Sequence, residues 1–244
     1  MSSLCDIEIL KAYSSIQLIF GEVEENLRNN ANIPLDMLNT NLDKIKNKLN
    51  NINFNGLTED TLNYLKDKYS SPLNLNLISI LTHLDKEDVV NLSKMFGITE
   101  EVIKYGHKFH ERVNKIFAYA EENKCSVMID AEQSYIQTII DSAAKYYTFV
   151  HNKTFCTVLQ TIQCYLKDSQ TKAADFLQFS RKYALKLGVK VVRGAYMTEE
   201  SKLSKLRNYE YPIFDSIKLT HDAYNNLIPT LLHQSQQDDK VRNY

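Results

Sequence analysis

The chain has 244 residues, with 29 Lys and Arg against 30 Asp and Glu, a net charge of −1. This length can bury one large core or two small ones, and the balanced charge argues against a nucleic-acid-binding protein, whose footprint is usually basic. Hydrophobic residues make up 43% and charged residues 24%, so the chain is globular; six glycines and four prolines supply too few turns for a many-stranded all-β fold.

Residues 1–124 read as a helical segment. Ile9, Tyr13, Ile16, Phe20, Val23 and Leu27 recur in steps of three and four, a helical stripe over Asp6–Asn29. Leu35, Leu38, Leu42, Ile45 and Leu49 give a second stripe within an Asn-dense stretch. Thr58 is placed to N-cap a short helix, Leu73–Leu84 and Lys86–Phe96 suggest two more, and Thr99 caps a long helix reaching about Asn123.

The pattern changes at Cys125. Val127-Met128-Ile129 followed by Asp130 is a short apolar run of the kind found in buried parallel strands. A helix over Tyr135–Val150, a β-rich run over Phe155–Gln163, a helix over Asp168–Leu187 closed by Gly188, and a strand over Val189–Arg193 follow. Two further helices are expected near Thr198–Leu206 and Phe214–Leu232, with residues 234–244 as a polar, frayed tail. Asp130 and Gln163 are 33 residues apart, and Gln163 and Arg193 are 30 apart, the length of one βα unit. The expected fold is therefore α/β: about three to four parallel βα units over 125–233, part of a (β/α)8 TIM-type barrel, behind the helical segment. A doubly wound sheet is the alternative, weakened because no G-x-G-x-x-G follows any of these strands. An eight-unit barrel takes about 250 residues, so the stretch after Lys124 is expected to be part of one.

Cys5, Cys125, Cys156 and Cys164 fit neither a zinc site nor a disulfide framework and read as reduced thiols. No apolar run approaches a membrane span. Met1–Leu10 carries Asp6 and Glu8 but no Arg, which matches neither a signal nor a transit peptide. Either the mature protein is cytosolic or its true N-terminus lies outside this sequence.

Polar groups gather where the strands end. Asp130 follows three apolar residues, at the rim of a low-dielectric core, and calls for a cation or several donors; Lys190 and Arg193 on a nearby strand could supply the cation. Gln163 offers a donor and an acceptor to the edge of a heteroaromatic ring. Gly194 and Ala195 leave room for a flat ligand near the backbone, and Tyr196 adds a ring and a hydroxyl. Each residue alone has a plainer reading: Asp130 as a helix cap, Gln163 as a strand-end amide, Lys190 and Arg193 as solvated charges. Their coincidence at three successive strand ends points to a binding site.

Asp130-Ala131-Glu132-Gln133, Gln163-Cys164-Tyr165-Leu166-Lys167 and Val191-Val192-Arg193-Gly194-Ala195-Tyr196-Met197, in this order and spacing, resemble the eukaryotic type of proline dehydrogenase. The resemblance is continuous from about Val127 to Tyr196. It implies a (β/α)8 barrel holding FAD, oxidation of L-proline to 1-pyrroline-5-carboxylate, electrons passed to a quinone, a mitochondrial location, and inner-membrane association of the full-length protein. It also implies catalytic roles for Asp130, Lys190 and Tyr196, with Gln163, Lys190, Arg193 and Ala195 as cofactor-binding residues. Glu132 and Lys167 match motif positions as well. The family's paired arginines that grip the proline carboxylate, and its later barrel strands, have no match here. The isolated chain is accordingly expected to bind FAD weakly or not at all, to turn over no proline and to self-associate.

Two rival readings remain. One is a non-catalytic truncated barrel acting as a helical interaction protein. The other is a metal-dependent barrel hydrolase using His107 and His110, which lie i, i+3 on a helix but lack an acidic partner at ligand spacing; the expected metal content is none.

Overall fold

The computed structural model describes residues 1, 4–30, 32–69, 73 and 75–241, with 234–241 described as backbone. The elements run α1 (Ile7–Asn29), α2 (Leu35–Asp43), α3 (Glu59–Tyr69), α4 (Leu77–Thr82), α5 (Lys86–Phe96), α6 (Glu100–Glu122), β1 (Val127–Ile129), α7 (Ser134–His151), β2 (Val158–Gln163), α8 (Ser169–Lys182), β3 (Val189–Val192), α9 (Met197–Arg207) and α10 (Ile217–Val241). They form two compact units: Met1–Ile116 with Ser134–Tyr146, and Phe117–Gln133 with Tyr147–Tyr244.

The first unit is helical. The α1 stripe is buried as its spacing predicts, and Tyr13 donates its hydroxyl to the Val102 carbonyl of α6. Gly106 permits this approach, because a Cβ there would come within 2.6 Å of the Tyr13 hydroxyl. Two expected helices are shorter than their stripes. The second ends at Asp43, where Lys44 and Ile45 tighten onto Asn41 and Leu42, leaving only a 3₁₀ turn over Lys46–Lys48. The Leu73–Leu84 helix begins at Leu77, because the Asn76 side chain accepts from Ser79 N and caps it there; residue 74 of that expected helix lies outside the described residues.

The second unit carries the sheet. β1, β2 and β3 are parallel, in the order β1-β2-β3, with Val127 opposite Val158, Gln160 opposite Val189 and Gln163 opposite Val192. Side chains alternate along a strand. One face therefore presents Gln160, Ile162, Val189 and Val191. Ile162 packs there with Cys164, Ala173 of α8 and Leu227 of α10, and with Val189, Val191, Tyr224 and Leu231 around them. The opposite face presents Met128, Leu159, Thr161, Gln163, Lys190 and Val192. Helices on one face and polar residues on the other is the arrangement of barrel strands.

Helix ends set the register. Lys124 adopts a left-handed φ of 53°, and Cys125 N bonds back to Ala120 O at 2.8 Å, which closes α6 and releases the chain into β1. The helix expected to run to Leu187 stops at Lys182 for the same reason: Ala184 has φ 51° and Leu185 N bonds to Ser180 O at 2.9 Å. Gly188 is thus not the helix stop. It sits beside β2, where a Cβ would fall 2.5 Å from both Cys156 Sγ and Leu159 Cγ. The last helix does not end near Leu232 but continues to Val241, through a run with no Gly or Pro to break it.

Asn152, fully buried at the C-terminus of α7, joins three segments. Its Oδ1 accepts from Thr157 N and Val158 N at 3.1 and 2.8 Å, and its Nδ2 donates to Val158 O and Lys186 O at 2.8 Å each. Replacing Asn152 with Ala would leave these backbone groups without the carboxamide. At about 1 kcal/mol for each of these four bonds, the expected loss is about 4 kcal/mol of unfolding free energy. Urea denaturation followed by circular dichroism measures it, and a loss under about 0.5 kcal/mol would show that the carboxamide is not the clamp its bonding suggests.

Candidate active site

Asp130 leaves the end of β1, and Lys190 is the second residue of β3. Lys190 Nζ donates to Asp130 Oδ1 at 2.6 Å, reaching past Thr161, which lies opposite Lys190 on the central strand. Thr161 in turn donates to Ile129 O at 2.8 Å, tying β2 to β1 beneath the pair. The cation expected beside Asp130 is therefore present. The expected burial is not: the Asp130 and Lys190 side chains are 69% and 39% exposed, because Asp130 lies beyond the last paired residue of β1. Water screens such a pair, so its worth is below about 1 kcal/mol. What it fixes is the direction of the lysine.

Gln163 stands on the same face, two residues beyond Thr161, and is only 5% exposed. Its Nε2 donates to Glu132 O at 2.8 Å and to the Tyr165 hydroxyl at 2.7 Å. Tyr165 is fully buried, with Leu166 and Ile213, against Ala195 and Tyr211. Burial first, and then the Glu200 carboxylate and Tyr196, push its hydroxyl pKa well above the usual range, so it stays protonated. Glu200 is itself 1% exposed. A short antiparallel clip holds this layer: Lys167 N bonds to Pro212 O, Phe214 N bonds to Tyr165 O, and Leu166 pairs with Ile213. Lys167 itself turns outward to Glu210 at 3.0 Å.

The remaining expected site residues lie differently. Ala195 packs in the cluster under Tyr165. Tyr196, half-buried, N-caps α9 with a left-handed φ of 55°, an uncommon conformation for a residue with a Cβ. Arg193 is not brought to the Lys190 face. Its guanidinium lies 4.4 Å from the Tyr224 ring centroid and 3.5 Å from Asn225 Oδ1, both on α10. Three residues from Lys190 is an odd step, which turns a strand side chain to the other side.

Among the described residues no group of His, Cys, Asp and Glu could hold a metal ion. His107 bonds to Leu81 O, and His110 sits edge-on to Tyr146. Cys164 is buried, and burial raises its thiol pKa to about 11, which leaves it protonated at neutral pH. Tyr165 and Glu200 carry the interior of the site without having stood out as site residues in the sequence. The signal for Tyr165 is its position two residues after Gln163 inside a motif.

Residues 12–242 match the family model described as proline dehydrogenase. The chain belongs to the proline dehydrogenase family. It is 34% identical over 176 residues to "Proline dehydrogenase 1, mitochondrial" of Dictyostelium discoideum, covering 70% of this chain and 29% of that protein. It is 35% identical over 146 residues to "Proline dehydrogenase 2, mitochondrial" of Arabidopsis thaliana, covering 59% and 31%. The "Hydroxyproline dehydrogenase" of Xenopus laevis is 33% identical over 132 residues, 54% of this chain and 28% of that one. The chain thus spans less than a third of the length of these curated relatives. The crystal structure of proline utilization A from Bdellovibrio bacteriovorus, inactivated by N-propargylglycine, superposes with a TM-score of 0.50 at 21% identity, over 52% of this chain and 14% of that one. The barrel-type α/β fold is therefore shared with that family structure.

A double-mutant cycle with Asp130→Asn and Lys190→Met is expected to give a coupling energy below about 1 kcal/mol that shrinks as salt is raised. A coupling of several kcal/mol that ignores salt would contradict an exposed pair.

Proposed function

We propose that this chain provides the cofactor-facing part of an FAD-dependent proline dehydrogenase. The observation that carries the reading is the convergence of Lys190, Asp130 and Gln163 on the sheet face opposite α8 and α10. The residues suit a flavin chemically: an ammonium fixed in direction by a carboxylate, and a carboxamide fixed by two donor bonds. The chemistry supplied by FAD when bound is two-electron acceptance: L-proline loses a hydride equivalent and a proton to become 1-pyrroline-5-carboxylate, and the electrons pass to a quinone.

In this reading Gln163 orients the ring edge and Lys190 places positive charge where reduction builds negative charge. Asp130 holds the Lys190 ammonium in position by the 2.6 Å bond rather than touching the reacting carbon. Tyr196, with Ala195 beside it, lines the proline side. Arg193 steadies α10 against the end of β3 through Tyr224 and Asn225. Similarity to mitochondrial proline dehydrogenases supports a mitochondrial location. Among the described residues no helix is long and apolar enough to cross a membrane.

Titrating the purified chain with FAD and following flavin fluorescence tests the reading. Weak but saturable binding is expected, without bleaching of the bound flavin by L-proline. Gln163→Ala should weaken FAD binding about fivefold, the equivalent of one hydrogen bond. Equal FAD affinity in wild type, Gln163→Ala and Lys190→Met would remove this face as the flavin site.

A further inference from the structure

Asn55-Gly56 is the one Asn-Gly step in the sequence. It lies in the connection that leads into α3, where residues 52–58 belong to no helix or strand, and Asn55 is exposed. Gly56 has φ 103°, a conformation closed to most residues with a Cβ, so glycine is required there. Its backbone nitrogen has no side chain of its own to shield it. Among the described residues neither the Asn55 carboxamide nor the Gly56 N–H has a hydrogen-bond partner. Other asparagines are held: the carboxamides of Asn39, Asn50, Asn76 and Asn152 all donate to backbone carbonyls.

The residues on either side are anchored. Phe54 and Leu57 are both buried. Phe54 stacks on Phe96 with ring centroids 6.0 Å apart, and Asn53 N bonds to Phe96 O at 2.9 Å. Leu57 is clamped by Asn39 at both of its backbone groups: its N–H donates to Oδ1 at 2.7 Å, and its carbonyl accepts from Nδ2 at 3.0 Å. Asn55 and Gly56 are thus an unbonded span between two fixed points.

We propose that Asn55 is a site of self-modification, at which the Gly56 nitrogen attacks the Asn55 carboxamide and the resulting isoaspartate pulls Leu57 out of its clamp. The Gly56 nitrogen bonds to Asn55 Cγ, the Cγ–Nδ2 bond breaks, and ammonia leaves with the Gly56 proton. The product is a five-membered succinimide. Water then opens either of its carbonyl–nitrogen bonds. Opening at Cγ gives aspartate, and opening at the main-chain carbonyl gives isoaspartate, whose backbone runs through Cβ and Cγ. The isoaspartyl link is longer by one carbon–carbon bond, about 1.5 Å. Phe54 and Leu57 are seated at the native spacing, so the added length is taken up at the Asn39 bonds, which weaken steeply with misalignment. Either product also adds one negative charge to the chain.

The test ages the full chain in mildly alkaline buffer and maps its peptides by tandem mass spectrometry. Asn55 should convert before any other asparagine, mostly to a form that accepts methyl groups from protein isoaspartyl methyltransferase. Asn55→Gln, aged in parallel, keeps the carboxamide but would have to close a larger ring, and residue 55 should stay unmodified. An intact Asn55, or another asparagine converting ahead of it, would overturn the site. Urea denaturation reads the consequence. Aged wild type should unfold at lower urea than fresh wild type, with aged Asn55→Gln unchanged. Fresh Asn55→Asp, which carries the charge without the added bond, should keep the wild-type midpoint. A converted chain with an unchanged midpoint, or an Asn55→Asp chain that falls as far, would overturn the release of Leu57 by the longer backbone.

Discussion

The carboxamide of Asn152 holds the site-bearing unit in register. It is buried, it ends α7, and it takes up backbone groups at the entrance to β2 and at Lys186, just before β3. Its own backbone carbonyl accepts from Lys186 N at 2.7 Å. A backbone group buried without a partner is costly, so the two strands have little freedom to slide once these bonds form. Sliding matters because side chains alternate along a strand. A slip of one residue would send Gln163 and Lys190 to the helix-covered face and bring Ile162 and Val191 into their place.

With the register fixed, the chemistry follows from position. The helix-covered face is apolar around Ile162, Val189 and Val191, and α8 and α10 close it. The other face keeps its polar residues at the strand ends, where they meet one another before they meet anything else. Lys190 finds Asp130, and Gln163 finds the Glu132 carbonyl and the Tyr165 hydroxyl. Each contact restrains a side chain that would otherwise sample many rotamers. The loss of freedom is incurred in folding, so a ligand arriving on this face need not bear it. Restraint of the polar groups is thus the main contribution of the fold to the proposed flavin chemistry.

Much of this was legible in the sequence, for reasons that can be named. The strands announced themselves by short apolar runs at βα spacing, and the pairing of Asp130 with a strand cation followed from a carboxylate next to three apolar residues. Arg193 was harder, because a basic residue in a matching motif suggested the cofactor, whereas strand parity alone turns it toward Tyr224. The ends of α8 and α2 depart from their apolar stripes because the stop lies in backbone geometry: a left-handed Ala184 and a tightened turn at Lys44, neither of which carries a Gly or Pro signal. The exposure of Asp130 was illegible, since it depends on β1 pairing only as far as Ile129. Asn152 gave no local sign of its role, because its partners are backbone groups of other segments; Tyr165 showed only its place two residues after Gln163, because its burial is made by Ile213 and Tyr211.

The claim that a ligand meets the polar face of the sheet is tested most directly by amide hydrogen exchange with and without FAD, read peptide by peptide. Slowed exchange is expected in segments spanning 130–133, 161–166 and 190–196, with little change in 170–182 and 218–233. Protection concentrated on the α8 and α10 segments, with none at Gln163 and Lys190, would contradict it.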